Sequence, residues 1–586
     1  MTIDAAQGGL GRPQQVAAPA VTESDAARPW LAHYPPGIRW DSEIPVRPLW
    51  HLLDEAVAAF PGRPCIDFLG RRTSYAELGV LVDRAACGLQ KLGVGPGTKV
   101  GLFLPNCPYF VVFYFATLKT GATVVNFNPL YAEPEVAQQI EDSDTDVMVT
   151  LDLAALCQKV TAQIGRTRLR HVVVCPMAAA LPFAKGLLFP LARRKDLARV
   201  PDDGHHVAYR ELMANDGRIA PPELDPHSAL ALLQYTGGTT GTPKGAMLTH
   251  ANVYANAVQC SLWFGGADGA TQSMVGVLPL FHVFAMTVVM NWTLRTGAEM
   301  ILLPRFELKQ LLETVHRRRP TALAAVPTLL NAINTCPDLG RYDLSSLRIC
   351  VTGGASLPAE VRERFEALTG CRVLEGYGLS ECAPVACCNP VEGLRKPGSI
   401  GLPYPATTIE IRAPEPPHRL LPVGEKGEIC VAGPQVMAGY WKRPEATAQV
   451  LIDGRLHTGD IGHMDGDGYV FITDRLKEMI NAGGFKVYPR MVEEAIYTHP
   501  QVAECAVFGV PDPYRGETVK AVVKRMPGAG LTAEELTAFL AERLSPIELP
   551  KIIEFRSELP KSPIGKILKT QLVAEHEAGA ERTAAS

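Results

Sequence analysis

Short apolar runs alternate with longer stretches of helical periodicity over most of the chain. Residues 99–104 and 122–127 are examples of such runs, each bounded by polar or turn-forming residues. Short apolar runs of this kind are typical of buried strands, and helical stretches between them are typical of parallel connections. From Trp50 to about Asp474 the pattern therefore predicts α/β layers with largely parallel sheets. No repeat of fixed period is visible in the sequence.

The pattern changes after Asp474 to that of a compact α+β unit. Apolar runs at 505–508 and 519–523 predict strands. Thr532, followed three residues later by Glu535, forms a capping-box pattern that predicts the start of an amphipathic helix. A second, smaller domain follows from this change of pattern.

The predicted domain organisation has four parts. Residues 1–28 are rich in Ala, Gly and Pro and lack the charged start and apolar core of a signal peptide, which predicts a disordered leader. The large N-terminal domain is predicted over 29–474 and the small, mobile C-terminal domain over 475–575. A disordered tail is predicted over 576–586.

Composition and charge exclude several function classes. The chain has 586 residues, enough for two or more domains, and a formal net charge of −4. Nucleic acid is not expected as a partner, because no overall basic field exists to hold it. The 14 cysteines include no Cys-x-x-Cys pair, and a chain of this size needs no disulfides to fold. We interpret them as reduced thiols of a cytoplasmic protein, and their spacing indicates no zinc site.

Two apolar segments raise the question of a membrane. Residues 274–290 include Pro279 and His282 and fall short of the roughly 20 apolar residues of a membrane-spanning helix, so a buried strand running into a buried helix is predicted. Residues 177–192 are apolar and are followed by the basic run 193–195. This segment suits peripheral contact with the cytoplasmic face of the inner membrane, and packing against its own domain is the alternative. The sequence leaves a homodimer open as well.

The segment 235–245 carries the most specific chemistry in the chain. It combines glycines, hydroxyls and one lysine, in the sequence YTGGTTGTPKG. Glycines let backbone N–H groups converge on an anion, and Lys244 supplies a positive charge. A Walker A loop opens a helix after Gly-Lys-Ser/Thr, whereas the apolar runs 229–233 and 246–248 predict strands on both sides here. We predict a phosphate-binding strand-loop-strand unit, with a flexible linker as the alternative.

Further candidate chemistry follows at turns downstream. The glycine turn 353–356 comes after a strand-like run, at the edge where α/β sheets bind ligands. Segment 377–381, YGLSE, offers a ring that can stack on a base and a carboxylate that can hold a hard cation. Segment 456–460, LHTGD, places a carboxylate where it can accept ribose hydroxyls. The acidic stretch 465–468 lacks the ligand spacing of a calcium loop and is predicted to be a hairpin turn.

One lysine near the C-terminus differs from ordinary exposed lysines. Pro563 and Gly565 predict a tight turn that presents Lys566 inward. The alternative is a solvated charge, which is the usual state of a lysine.

Together and in this order, these segments resemble the adenylate-forming superfamily of acyl-CoA synthetases, amino-acid-activating domains and luciferases. The resemblance covers residues from about 30 to 572. Within the superfamily, the stretches 128–131, 279–282 and 433–441 are most similar to bacterial long-chain fatty-acid CoA ligases. The resemblance implies ATP, Mg²⁺ and CoA as cofactor and cosubstrates, and a fatty acid as the substrate.

The resemblance also implies roles for individual residues. The implied phosphate-binding residues are Thr236, Gly237, Gly238, Thr239, Thr240, Gly241 and Lys244. The implied adenine and α-phosphate residues are Gly354, Ala355, Tyr377, Gly378 and Ser380. The implied Mg²⁺ ligands are Thr236 and Glu381, and the implied ribose ligands are Asp460 and Arg475. The implied hinge is Asp474, and the implied thioester loop contains Gly484, Phe485 and Lys486. The implied catalytic residues are Lys566, Glu381, Lys244 and His282.

The expected activity is ATP-dependent joining of a fatty acid to CoA through an acyl-adenylate, with AMP and pyrophosphate as products. In amino-acid-activating members an aspartate follows the phenylalanine that matches Phe281. Here His282 follows, in an apolar neighbourhood without a partner for a substrate ammonium. His282 is a candidate gate of the acyl pocket, with a core histidine as the alternative. The alternative activities are an aryl- or other carboxylic acid-CoA ligase and, in another class, a non-catalytic acyl- or nucleotide-binding protein.

Overall fold

The computed structural model describes residues 28–236, 243–265, 272–475, 478–482, 485–512, 516–563 and 565–584. The predicted leader lies outside these residues except for Arg28. Four β-sheets are found in the described ranges. Three of them precede residue 476 and the fourth follows it, which confirms the predicted large α/β part and small α+β part.

The first sheet carries the turns on which the candidate site is built. In spatial order its described strands are Leu402–Pro403, Val385–Cys388, Arg372–Gly378, Ile349–Thr352, Ala322–Ala325, Ser273–Gly276, Glu299–Leu302, Pro64–Phe68 and Arg71–Ser74. Ile349–Thr352 is parallel to both of its neighbours, and its residues are mostly buried. The glycine turn 353–356 therefore lies at the carboxyl edge of parallel strands, as predicted.

The second sheet contains the glycine loop. In spatial order its described strands are Gly439–Tyr440, Lys244–Thr249, Leu230–Thr236, Thr123–Asn126, Lys99–Leu102, Val147–Leu151, His171–Cys175 and His206–Ala208. Leu230–Thr236 and Lys244–Thr249 pair antiparallel on either side of the loop, which confirms the strand-loop-strand prediction. The tip of the loop, 237–242, lies outside the described residues.

The third sheet is antiparallel. Its described strands are Thr408–Arg412, Gly427–Ala432, Arg455–Met464 and Leu451–Ile452, with Val470–Arg475 paired to Arg455–Met464. Residues 465–468 join two of these strands as the predicted hairpin turn. The carboxylates of the turn stabilise it. Asp465 Oδ1 accepts the N–H groups of Asp467 and Tyr469 at 3.0 Å each. Lys396 Nζ lies 2.6 Å from Asp467 Oδ2.

The fourth sheet belongs to the C-terminal part. Its described strands are Phe485–Val487, Ile480–Ala482, Gly516–Arg525 and Val502–Asp512, with Ile552–Phe555 parallel to Gly516–Arg525. Apolar side chains from this sheet and its helices form a core of their own, which includes Val492, Val507 and Leu536. A separate core is what an independently packed domain needs, and the domain bounds near Asp474 remain our prediction.

Helices cover the sheets and connect their strands. The described α-helices are His51–Ala59, Tyr75–Lys91, Pro108–Lys119, Glu133–Ser143, Ala154–Thr161, Met177–Ala180, Phe183–Ala192, Tyr209–Leu212, His250–Phe264, Val283–Ala285, Trp292–Thr296, Leu308–Arg318, Pro327–Asn334, Ala359–Thr369, Pro444–Ala448, Pro489–Tyr497, Ala533–Ala541 and Lys569–Ala584. The described 3-10 helices are Pro29–His33, Arg194–Asp196, Leu339–Arg341 and Ser380–Cys382, and a π-helix spans Met286–Asn291. The capping box of Thr532 and Glu535 is present as predicted.

The last helix, Lys569–Ala584, extends into the range 576–586, for which a disordered tail is predicted. Long-range contacts hold this helix, because Arg556 Nη1 pairs with Glu575 at 2.5 Å and Lys520 Nζ lies 3.1 Å from His576 Nδ1. Composition alone does not reveal such partners, which lie far away in the sequence.

Candidate active site

A buried carboxylate, Asp460, links an aromatic ring to a guanidinium. Asp460 lies opposite Arg475 in the third sheet and is 3% exposed. The Tyr377 hydroxyl donates to Asp460 Oδ2 at 2.5 Å, and Arg475 Nε donates to Oδ1 at 3.0 Å. Burial, together with the negative charge of Asp460, raises the pKa of Tyr377 well above its usual range. The two donors fix the carboxylate in one orientation at the end of the strand that carries Tyr377.

Tyr440 brings Lys244 and Glu381 to one place. Gly439–Tyr440 pairs with Lys244–Thr249, so that Tyr440 lies opposite Ala246. The Tyr440 hydroxyl donates to Glu381 Oε1 at 2.7 Å, while Lys244 Nζ lies 5.2 Å from the centroid of the Tyr440 ring. Burial raises the pKa of Tyr440, with the Glu381 charge as the next cause. The carboxylate and the ammonium therefore lie around the same tyrosine.

The ends of the glycine loop are fixed by strand pairing. Thr236 lies opposite Lys244 in register, and its hydroxyl donates to the Lys244 carbonyl at 3.4 Å. The predicted phosphate-binding residues Gly237, Gly238, Thr239, Thr240 and Gly241 lie outside the described residues. Thr236 and Lys244 are thus placed at the base of the loop, and Lys244 also lies beside Tyr440, the partner of Glu381.

The backbone at Gly378, in the YGLSE segment, lies so close to the backbone of Pro384 that only glycine fits. A Cβ atom on Gly378 would lie 2.2 Å from the Pro384 carbonyl oxygen, so no other residue fits there. The chain then turns into Ser380–Cys382, which carries Glu381. Gly354 (φ +80°) and Ala355 are exposed on the turn after the neighbouring strand. The predicted base-framing residues therefore share one sheet edge with Tyr377.

Lys566 approaches this edge from the C-terminal part. Gly565 adopts φ +80°, and the Thr328 hydroxyl of the large domain donates to its carbonyl oxygen at 3.0 Å. A Cβ atom on Gly565 would lie 2.7 Å from Thr328 Oγ1, so the contact requires glycine. Burial lowers the pKa of Lys566, the Arg475 charge lowers it further, and Asp460 acts in the opposite direction. The Lys566 ammonium therefore lies within electrostatic reach of both Arg475 and Asp460.

His282 lies immediately before the short helix Val283–Ala285 and is its N-cap. Its Nδ1 atom accepts the Phe284 N–H at 3.3 Å and caps the helix. Burial lowers the pKa of His282 to about 4, and the Lys566 charge contributes to the shift. The ring is neutral at pH 7 for that reason. The segment continues into the π-helix Met286–Asn291, an irregularity that often marks functional sites.

Asp474 lies at the junction of the large and small parts. Its Oδ1 atom accepts the Arg475 N–H at 2.6 Å and its Oδ2 atom accepts the Arg490 N–H at 3.2 Å. Burial raises the pKa of Asp474 to about 6. Of the predicted thioester loop, Gly484 lies outside the described residues, whereas the backbone of Phe485 and Lys486 lies in the edge strand Phe485–Val487, with their side chains outside the described part.

Two residues of the cleft were absent from the sequence-based predictions. Tyr440 contacts both Lys244 and Glu381. The only sequence feature that points to it is its position within the segment 433–441. Thr328 gives no signal, because its role depends on a contact with Gly565, 237 residues away in the sequence.

The site holds a lysine, two fixed carboxylates and the half-buried Tyr377 at the edge of parallel strands. Such an arrangement is typical of an enzyme that handles a nucleotide. A family model described as AMP-binding enzyme matches residues 53–441, and one described as AMP-binding enzyme C-terminal domain matches residues 491–566. The chain belongs to the AMP-binding enzyme family.

Known relatives are similar over nearly the whole chain. A long-chain-fatty-acid–CoA ligase of Bacillus subtilis is 42% identical over 94% of this chain and 98% of its own. A feruloyl-CoA synthase of Amycolatopsis sp is 39% identical over 86% of this chain and 94% of its own. The crystal structure of ATP-bound MatB from Rhodopseudomonas palustris superposes with a TM-score of 0.78, at 29% identity, over 90% of this chain and 99% of that one.

Proposed function

We propose that the protein activates a fatty acid with ATP to an acyl-adenylate and then transfers the acyl group to CoA. The observation that carries the proposal is the convergence of distant segments on one cleft. Lys244 and Glu381 meet at Tyr440, Asp460 binds Tyr377, and Lys566 reaches the same edge from the C-terminal part.

The first half-reaction needs stabilisation of negative charge. The substrate carboxylate attacks the α-phosphorus of ATP, and the bond from that phosphorus to pyrophosphate breaks. Charge develops on the phosphoryl oxygens, and the ammonium groups of Lys566 and Lys244 offset it by electrostatic attraction. Asp460 accepts the ribose hydroxyls and Arg475 holds Asp460 in place, so that the nucleotide keeps a fixed position during attack.

Glu381 and Thr236 are the proposed Mg²⁺ ligands. A carboxylate and a hydroxyl are hard oxygen donors of the kind that Mg²⁺ prefers, and Tyr440 fixes the carboxylate through Oε1. When bound, Mg²⁺ supplies neutralisation of the phosphate charges. Gly354, Ala355, Gly378 and Ser380 would surround the base and the α-phosphate.

The second half-reaction requires access for CoA, whose thiolate displaces AMP from the acyl group. Lys566 occupies the cleft in the present arrangement, so the C-terminal domain, proposed over 475–575, must rotate away from the domain at 29–474. Asp474 is the proposed hinge. Gly484, Phe485 and Lys486 are proposed to enter the cleft after this rotation.

An uncharged aliphatic tail is the proposed feature of the acid. Residues 277–290 contain no acidic or basic side chain besides His282, which is neutral at pH 7. A charged substrate group would have no partner there. We propose His282 as the gate of this acyl pocket. The Bacillus subtilis relative supports a long-chain acid, while the Amycolatopsis relative keeps an aryl acid as the second candidate.

A panel of acids tests the proposal. We expect CoA-dependent AMP formation with dodecanoate and palmitate at a kcat/KM at least about 10-fold above that for ferulate, because an apolar pocket gains binding energy from each buried methylene. Faster turnover of ferulate would favour the aryl-acid ligase. Binding of ATP without AMP formation from any acid would favour the non-catalytic binding protein.

The helix Phe183–Ala192 is proposed to contact a membrane surface. None of the helices in the described ranges combines the length and apolarity that crossing a bilayer requires. Phe183, Leu187 and Leu191 are spaced by four residues on one face and are 88%, 67% and 79% exposed. Gly186 lets the opposite face pack closely, since a Cβ atom there would lie 2.5 Å from the Ala178 carbonyl oxygen. The apolar face points outward, next to the exposed basic run 193–195.

Vesicle binding tests this contact. The double variant Phe183→Glu/Leu187→Glu should bind phosphatidylglycerol vesicles at least about 10-fold more weakly in sedimentation assays, because it loses buried apolar area and adds negative charge. Val80→Glu is the matched control, since Val80 is 54% exposed on another helix. Equal vesicle binding by the double variant and the unmodified protein would contradict the proposal. A homodimer and a cytoplasmic location remain proposals of the same kind.

A further inference from the structure

Two histidines and a glutamate meet in the third sheet, beside the cleft. His418 lies in the connection between Thr408–Arg412 and Gly427–Ala432, while Glu428 and His457 lie on adjacent strands. One ligating atom from each of the three side chains lies within 4.8 Å of the other two. The side chains of His457 and Glu428 are 6% and 8% exposed.

The imidazole rings are held in defined orientations. The centroids of the His418 and His457 rings lie 4.7 Å apart at an interplanar angle of 65°. His418 Nδ1 lies 3.2 Å from the Ala413 carbonyl oxygen, so Nδ1 carries the proton and Nε2 keeps a free lone pair. Its backbone adopts φ +53°, a left-handed conformation that costs free energy for a residue with a side chain. The connection thus holds the His418 ring against the His457 ring.

Glu428 contacts the backbone through one carboxylate oxygen and His457 through the other. Its Oε1 atom accepts the Gly459 N–H at 2.9 Å, and its Oε2 atom lies 2.7 Å from His457 Nδ1. Both atoms of this contact can ligate a cation, which would then take the place of the proton between them. Two imidazoles and one carboxylate are a donor set that zinc accepts in proteins.

Two arginines near the site, Arg412 and Arg455, would repel a bound cation only weakly. Arg412 and Arg455 both pair with Glu410, at 2.6 Å in each case. Their positive charges are therefore partly offset before they act on the site.

We propose that His418, Glu428 and His457 bind a divalent ion of the zinc class, with a fourth position open to water. Zinc binding at this site can be measured whether or not the proposed ligase activity holds. The site adjoins the ribose-binding turn, because Glu428 holds the N–H of Gly459, the residue before Asp460. An ion bound to Glu428 would weaken the hydrogen bond of that carboxylate to the Gly459 N–H, so we expect zinc to change the KM for ATP. No sequence motif predicts this site, since positions 418, 428 and 457 follow no metal-binding spacing.

The test measures binding directly on the untagged full chain. After removal of metals, equilibrium dialysis against Zn²⁺ should give about one ion per chain, and Co²⁺ should give the visible absorption of a four-coordinate site. His418→Ala should weaken Zn²⁺ binding at least about 10-fold and abolish the Co²⁺ absorption. His227→Ala, which removes an exposed histidine elsewhere, is the matched control.

Two results would overturn the inference. One is equal Zn²⁺ binding by His418→Ala and the unmodified chain, and the other is no zinc retained by the unmodified chain. Thermal unfolding without metal should be the same for both proteins, because His418 is only partly buried and has no role in the cleft. A shift of the KM for ATP with Zn²⁺ in the unmodified chain alone would connect the site to the ribose-binding turn.

Discussion

Replacing Lys566 by alanine should lower acyl-adenylate formation by about 10²–10³-fold while ATP binding is retained. In the proposed mechanism Lys566 contributes a charge where negative charge develops in the transition state, and one such preorganised group is worth a factor of this size. Pyrophosphate exchange into ATP measures the adenylation step, and equilibrium binding measures the affinity for ATP.

The control for this variant lies on the same turn. Lys561 pairs with Glu504 at 2.7 Å and belongs to the segment that leads to Lys566. Lys561→Ala should therefore keep an exchange rate near that of the unmodified protein. Exchange at the unmodified rate by Lys566→Ala, in a protein with unchanged thermal unfolding, would contradict the assignment.

Replacing Asp460 by asparagine should raise the KM for ATP and lower kcat/KM for ATP by about 10- to 100-fold. Asparagine keeps the shape of the side chain but removes the charge that Arg475 contacts and one acceptor for the ribose. Hydrogen bonds to a charged group contribute about 1.5–3 kcal/mol each, which corresponds to this range. Initial rates of AMP formation as a function of ATP concentration give both constants.

Tyr377→Phe is the matched variant for this prediction. It removes the hydroxyl that donates to Asp460 and leaves the ring that is proposed to contact the base. The Tyr377 hydroxyl donates to Asp460 and is not itself a proposed ribose ligand, so the effect of Tyr377→Phe on kcat/KM should be smaller than that of Asp460→Asn. An unchanged KM for ATP in Asp460→Asn would remove the proposed ribose contact.

The sequence pattern correctly predicted those elements whose formation depends on residues close to them in the chain. The apolar runs beside the glycine loop became paired strands, Thr532 and Glu535 formed their capping box, and residues 465–468 formed a hairpin turn. Each of these depends on neighbours within a few residues, which periodicity and turn chemistry report.

Long-range pairing lies beyond such patterns. The place of Tyr440 between Lys244 and Glu381 depends on the register of a two-residue strand, which nothing near Tyr440 specifies. His576, the first residue of the predicted tail, contacts Lys520, a partner 56 residues away that composition does not reveal. For 177–192 the apolar pattern predicts two alternatives, and the structure exposes Phe183, Leu187 and Leu191 while Gly186 packs against the Ala178 carbonyl oxygen.

The helix Pro327–Asn334 touches the C-terminal part through neutral hydrogen bonds. The Thr328 hydroxyl donates to Gly565 and Asn331 Nδ2 donates to the Ala503 carbonyl at 2.9 Å. Neutral hydrogen bonds contribute only about 0.5–1.5 kcal/mol each. These two contacts therefore add little to the barrier against the rotation proposed for the C-terminal domain. A large apolar interface would instead oppose the proposed rotation, because separating the two parts would expose that area to water.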